Sequence, residues 1–366
     1  MSYPNRRSVL GGAAAIAGLG LMGGAWTGEP SILPLEQRIG EMLLMGFIGS
    51  TPETDGAGQI ADHLAHGRIG GVLFLRHNVR SREGVEGLTA RFREIAPKAW
   101  MAVDQEGGLV QRLSRDLGYT AIPRALIVAE SDSVDQAKSV YSGAAGEFVA
   151  AGFDLNLAPV ADLNDPENAV IGIHGRSYGE NGETVAAYAG AFIEAYEEAG
   201  VVCAIKHFPG HGHSRGDSHA GFVDITETWS EAELDPFRRL IEAGDAKLIM
   251  GGHLTNRQLD PTGVPITFSA PVIEGLLRGQ MGFAGAVMTD DLDMAAIHAN
   301  YSQRESVLRS IEAGNDIIML SNSAAPDPEL PQRVVGWVGE AIAEGRLTEA
   351  RIDQSVARIA ALRHSA

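Results

Sequence analysis

Glu198-Ala199-Gly200-Val201-Val202-Cys203-Ala204-Ile205-Lys206-His207 condenses one structural unit into a short stretch. The glycine sits where a left-handed C-cap stops a helix. The apolar, β-branched run after it has the length of a buried strand. A charged residue and an imidazole then close the strand. The same tripeptide recurs as Glu242-Ala243-Gly244, ahead of the run Lys247–Gly251, and as Glu312-Ala313-Gly314, ahead of Asp316–Leu320.

Working outward, the pattern predicts eight strands: Leu43–Ile48, Gly71–Leu75, Ala99–Val103, Asp154–Pro159, Val201–Ile205, Lys247–Gly251, Gly285–Met288 and Asp316–Leu320. Amphipathic segments separate them, with Ser81 and Ser269 placed to N-cap helices. Alternating β and α units imply a parallel sheet covered by helices. Eight units fit a single-domain α/β fold, a (β/α)8 TIM-like barrel, better than an open sheet. No glycine-rich phosphate fingerprint follows the first strand, which counts against a dinucleotide-binding sheet. Pro328 to Arg363 reads as two C-terminal helices, with Ile352, Val356, Ile359 and Leu362 forming a stripe that packs on the barrel.

The 366 residues carry 47 acids against 29 bases, a formal charge of −18. Such a surface repels nucleic acid and anionic lipid, so no nucleic-acid partner is expected. The single cysteine, Cys203, lies in an apolar run and excludes an internal disulfide. At the N-terminus, Asn5-Arg6-Arg7-Ser8 leads into an uncharged run from Val9 to Trp26 that holds six glycines. Paired arginines before a mildly hydrophobic segment read as a twin-arginine export signal over 1–27. So many glycines weaken the competing reading, a membrane anchor. The expectation is a periplasmic protein with no stable membrane anchor, its catalytic barrel spanning 30–366.

Barrel enzymes carry their chemistry at the C-terminal ends of the strands. Here those ends present Arg76-His77-Asn78, Asp104-Gln105-Glu106, Asp162, Lys206-His207, His253 and Asp290-Asp291. The fifth end opens into Lys206-His207-Phe208-Pro209-Gly210-His211-Gly212-His213-Ser214-Arg215-Gly216-Asp217-Ser218-His219, with four of the eleven histidines. Three chemistries compete for it. His211-Gly212-His213 has metal-ligand spacing, although His213 is also explained as a solvent-facing loop side chain. Ser218 beside His219 is a weak nucleophile candidate, because the second glycine of a nucleophile elbow is missing. In the third, Asp217 orients His219 as an acid/base while Asp290 attacks as a carboxylate nucleophile. Together these two roles suit a retaining glycosidase.

Lys206 to His219 resembles the Lys-His-Phe-Pro-Gly-His-Gly…Asp-Ser-His signature of family 3 glycoside hydrolases, in the β-N-acetylhexosaminidase branch. The resemblance extends to Val103-Asp104-Gln105-Glu106-Gly107-Gly108 with Val110-Gln111-Arg112, to Ala158-Pro159-Val160-Ala161-Asp162, to Gly175-Arg176-Ser177-Tyr178-Gly179 and to Thr289-Asp290-Asp291-Leu292. It implies Asp290 as nucleophile, His219 as acid/base and Asp217 as its partner. It also implies that Asp104, Arg112, Arg176, Lys206 and His207 bind N-acetylglucosamine. The pattern departs at His213, Ser214 and Val223, where the family commonly carries aspartate, threonine and proline.

Each assignment has a structural competitor. Asp104 and Arg112 could form a plain salt bridge, and Arg176 could tie down a loop. His253 could be site wall or core, His211 folds its loop, and Asp291 supports rather than enters the pocket. The resulting expectation is a retaining exo-β-N-acetylglucosaminidase. It would act as a monomer, without metal or other cofactor, on small amino-sugar glycosides such as muropeptide or chitooligosaccharide fragments. A metal-dependent barrel hydrolase and a non-catalytic amino-sugar-binding protein are the alternatives.

Overall fold

In the computed structural model, residues 33–217, 221 and 223–364 are described. The proposed export signal and the residues Ser218, His219, Ala220 and Phe222 lie outside them. Eight parallel strands, Leu43–Gly46 (β1), Gly71–Phe74 (β2), Trp100–Val103 (β3), Leu155–Asn156 (β4), Val202–Phe208 (β5), Leu248–Gly251 (β6), Ala286–Thr289 (β7) and Ile318–Leu320 (β8), pair in the order β7-β6-β5-β4-β3-β2-β1-β8. A bridge between Met288 and Ile317 brings β7 against β8 and nearly closes the sheet into a barrel. All eight predicted strands are present. Gly200, Gly244 and Gly314 each take a positive φ just past a helix, as the repeated tripeptide implied. Ser81 accepts from the Gly84 N–H at 3.0 Å, and Ser269 from the Val272 N–H at 3.3 Å.

The C-terminal ends of β4 and β5 differ most from expectation, and the other boundaries lie within about two residues of it. β4 is short, because Pro159 follows closely and offers no N–H to a ladder. β5 runs on through Lys206 and His207, which the sequence placed after the strand. A lysine can sit inside this strand because carboxylates on the loop after β3, two strands away, meet its charge.

The strands' N-terminal ends are closed by the C-terminal helix Glu349–His364, which buries Ile352, Ile359 and Leu362 and packs Val356 against the core. Its Arg351, Ser355 and Arg358 converge on buried Asp316 ahead of β8, and its Arg363 pairs with Glu41 at 2.6 Å. This leaves the opposite face of the barrel for chemistry. Among the described residues no helix is long and apolar enough to cross a membrane.

Candidate active site

β3 delivers Asp104 and Glu106 to that face, and β5 delivers Lys206 between them. Lys206 Nζ donates to Asp104 Oδ1 at 2.8 Å and lies 2.7 Å from Glu106 Oε1. Arg176, on the loop after β4, donates through Nη2 and Nε to the two oxygens of Glu106 at 2.7 and 2.8 Å. Arg112 reaches Asp104 Oδ2 at a longer 3.4 Å. Burial alone would raise the Glu106 carboxyl, but Arg176 and Lys206 outweigh it and hold the group well below the usual carboxylate range. Burial opposes the Lys206 charge, and Asp104 and Glu106 more than restore it.

Exposure divides these groups. The side chains of Lys206, Glu106 and Arg176 are 4%, 6% and 9% exposed, while Asp104 and Arg112 reach 17% and 21%. Asp104 and Arg112 therefore face the opening, with the Lys206–Glu106–Arg176 ion cluster beneath them. Arg112 Nε is buried and has no hydrogen-bond partner among the described residues. Arg176 also donates to Val170 O at 3.3 Å and so ties its loop down. Glu106 carries a role the sequence did not assign, although its place at a strand end, two residues from Asp104, was the available signal.

Asp162, fully buried after β4, organises the histidine loop. Its Oδ2 meets His207 Nδ1 at 2.7 Å, and its Oδ1 accepts the main-chain N–H groups of His207 and His211 at 3.1 and 2.8 Å. Despite burial, His207 keeps the Asp162 carboxyl low. Because a carboxylate only accepts, the contact places a His207 proton on Nδ1. His211 is buried, meets Ser214 Oγ at 2.7 Å and is pushed down to about 4, chiefly by burial and then by His207. It folds the loop, as expected. His213 is not simply solvent-facing: its Nδ1 lies 2.6 Å from Oε1 of buried Glu233. Among the described residues no three His, Cys, Asp or Glu side chains are grouped to hold a metal ion.

Asp290 follows β7 and is partly exposed. Its N–H donates to Gly251 O at 3.2 Å, and its Oδ1 accepts the Asp291 N–H at 2.8 Å. Burial opposes its charge, but His253, His207, the Asp291 N–H and Lys206 together hold the carboxyl below its ordinary value. Asp290 is thus an ionised carboxylate on the same side as β5's Lys206 and His207. His253 is buried behind it, bonded to Thr267 Oγ1 at 2.7 Å and to Asp291 O at 2.9 Å, so it braces the turn that carries Asp290. Asp291 points away, accepting the N–H groups of Ser321 and Asp293. Asp217 is exposed on the loop, and His219 lies outside the described residues. Arg76 is exposed, whereas His77 and Asn78 bond to the β1 loop at Phe47 O, at 2.8 and 2.9 Å, and serve the fold.

The family model for the glycosyl hydrolase family 3 N terminal domain matches residues 34–362. A β-hexosaminidase of Pseudomonas aeruginosa is 35% identical over 286 residues, 77% of this chain and 83% of that protein. One from Xylella fastidiosa is 34% identical over 325 residues, 81% and 93% of the two chains. Among solved structures, β-N-acetylhexosaminidase from Beutenbergia cavernae superposes with a TM-score of 0.79 at 31% identity, covering 91% of this chain and 99% of that one. A family 3 β-N-acetylglucosaminidase from a Paenibacillus species gives a TM-score of 0.82 at 33% identity, covering 91% of this chain and 62% of the other. With a matching family model along the barrel and relatives of this identity and coverage, the chain belongs to glycosyl hydrolase family 3 and is a glycoside hydrolase.

Proposed function

We propose that the protein is a retaining exo-β-N-acetylglucosaminidase. The observation that carries this reading is Asp290, an ionised carboxylate at the end of β7 on the face where Lys206 and His207 also emerge. In this mechanism Asp290 attacks the anomeric carbon and His219, oriented by Asp217, protonates the leaving oxygen. Water then hydrolyses the glycosyl–aspartate with His219 acting as base. Asp104 accepts sugar hydroxyls while Arg112 and His207 supply the remaining polar contacts. Lys206 and Arg176 fix Asp104 and Glu106 beneath the sugar. The β-hexosaminidase relatives support an amino-sugar glycoside as substrate, and the sequence favours a periplasmic protein exported by the twin-arginine route. The enzyme acts as a monomer on chitooligosaccharide or muropeptide fragments.

Turnover of nitrophenyl β-N-acetylglucosaminide by wild type and Asp290→Asn tests the reading. The variant should stay folded and lose about three orders of magnitude in kcat. Near-wild-type turnover would remove Asp290 as nucleophile. Full activity after dialysis against a chelator is expected, and its loss would favour a metal-dependent hydrolase. Binding of N-acetylglucosamine without any turnover by wild type would point to a sugar-binding protein.

A further inference from the structure

Residues 207–214 are gripped from two sides. From β4 and the loop after it, Asp162 holds the amides of His207 and His211, and Asn168 Nδ2 donates to His211 O at 2.8 Å and Ser214 O at 3.0 Å. Gly212 passes so close to that loop that a Cβ there would stand 2.1 Å from Leu163 O. From the segment after β5, Trp229 Nε1 donates to Pro209 O at 3.0 Å. Glu233 Oε1 takes both the main-chain N–H of His213, at 2.9 Å, and its Nδ1, at 2.6 Å. The chain then leaves this platform as an arm bearing exposed Arg215 and Asp217; His219, two positions on in the sequence, lies outside the described residues.

Glu233 is an unusual anchor. It is fully buried, and its Oε2 has no hydrogen-bond partner among the described residues. Gly210, at φ 111°, lies against it, and any Cβ there would stand 2.5 Å from Glu233 Cβ. Burial pushes the Glu233 carboxyl up, and Asp162 adds to that. His213 is the basic side chain that meets it, and the Glu233 hydrogen bond raises the imidazole. Asp165 lies near enough to favour the His213 cation, and Arg215 opposes it, though Arg215 itself pairs with Asp165 at 2.6 Å. A buried carboxylate with one charged partner among the described residues depends strongly on that partner's proton.

We propose that Glu233 is a positioning residue for the acid/base arm, acting through protonated His213, which locks the base of the arm onto the barrel. The inference rests on the assignment of Asp217 and His219 to proton donation. Losing the lock should harm protonation of the leaving group and spare both sugar binding and nucleophilic attack. The lock needs Glu233 ionised and His213 protonated, so it holds between their titrations: it weakens as pH falls through the raised Glu233 carboxyl and again as pH rises through the raised His213.

The test compares N,N′-diacetylchitobiose, whose leaving group needs a proton, with 2,4-dinitrophenyl β-N-acetylglucosaminide, whose leaving group does not. Glu233→Gln should lower kcat/KM about tenfold for the first and under about twofold for the second, as loss of one charge-assisted hydrogen bond implies. An equal loss on both substrates, or none, overturns the proposal. His213→Gln keeps a donor to Glu233 but cannot titrate. Its chitobiose kcat/KM should lie below wild type where Glu233 is ionised and His213 protonated, and converge with it as pH rises through the His213 titration; a constant ratio across pH overturns the lock. His219→Ala separates this from the underlying reading. If it affects both substrates equally, the acid/base assignment fails and the proposal falls with it. If it shows leaving-group dependence and Glu233→Gln does not, only the proposal falls.

Discussion

Arg176 donates to both carboxylate oxygens of Glu106, at 2.7 and 2.8 Å, and so ties the loop after β4 to the loop after β3. The pair lies under Asp104 and Arg112 and shares Lys206. Removing one member leaves buried charge uncompensated, so Glu106→Ala should destabilise the protein by about 3–5 kcal/mol in urea unfolding. A loss under about 1 kcal/mol would mean water replaces the carboxylate. The Glu106 carboxyl is lowered on folding, so its contribution is present above the ordinary value of 4.5 and is lost as pH falls below it. Wild type should therefore lose stability faster than Glu106→Ala below that pH.

Asp162→Asn probes the tautomer of His207. The asparagine Oδ1 can still accept the His207 and His211 amides, but an NH2 group replaces the oxygen that faces Nδ1. Two donors would then meet, and the imidazole proton must move to Nε2. We expect a loss of roughly 10–100-fold in kcat/KM with little change in stability. Imidazole nitrogen shifts would report the tautomer directly, and an unchanged tautomer would contradict this account.

Asp291→Asn should stabilise the fold at neutral pH. Both amides that Asp291 accepts, from Ser321 and Asp293, go to Oδ1, which asparagine retains. Burial, then Asp293, pushes the Asp291 carboxyl up to about 6. Its ionisation therefore costs stability as pH rises from the ordinary carboxylate range through that value. The variant should match wild type near pH 4 and exceed it by about 1–2 kcal/mol at pH 7. Equal melting temperatures at both pH values would show that the charge is relieved.

His219→Ala should lower kcat/KM by about 10²–10⁴-fold for a chitooligosaccharide and far less for a dinitrophenyl glycoside, while loss of the base slows hydrolysis of the glycosyl–aspartate from both. Azide should restore turnover of the activated substrate by attacking the glycosyl–aspartate, giving a glycosyl azide. Absence of that product would argue against a covalent intermediate.

The barrel was legible because each strand announces itself locally: a glycine stop, an apolar run and a polar exit, as at Gly200 to His207. The strand-end rule also found Asp104, Lys206, His207 and Asp290, since a charge just past an apolar run needs no knowledge of distant residues. What it could not supply was pairing. Glu106 meets Arg176 from seventy positions away, and no local pattern distinguishes that carboxylate from a solvated one. His213 looked solvent-facing for the same reason, as the glutamate beneath it belongs to the segment after the loop. Lys206 sits inside β5 because its compensating charges come from β3's loop, which strand propensity does not register.

The seam between β7 and β8 has a further consequence. Its main-chain bonds are interleaved with side-chain ones: Thr289 Oγ1 accepts the Met319 N–H at 3.0 Å, Asp291 the Ser321 N–H at 2.8 Å, and Asp316 the Val287 N–H at 3.1 Å. The last stave of the barrel is thus fastened by a hydroxyl and two carboxylates, and Asp290 sits between two of these fasteners. Deuterium uptake at the amides of Met319, Ser321 and Val287 would time any breathing of the cylinder at the point where the reactive carboxylate is mounted.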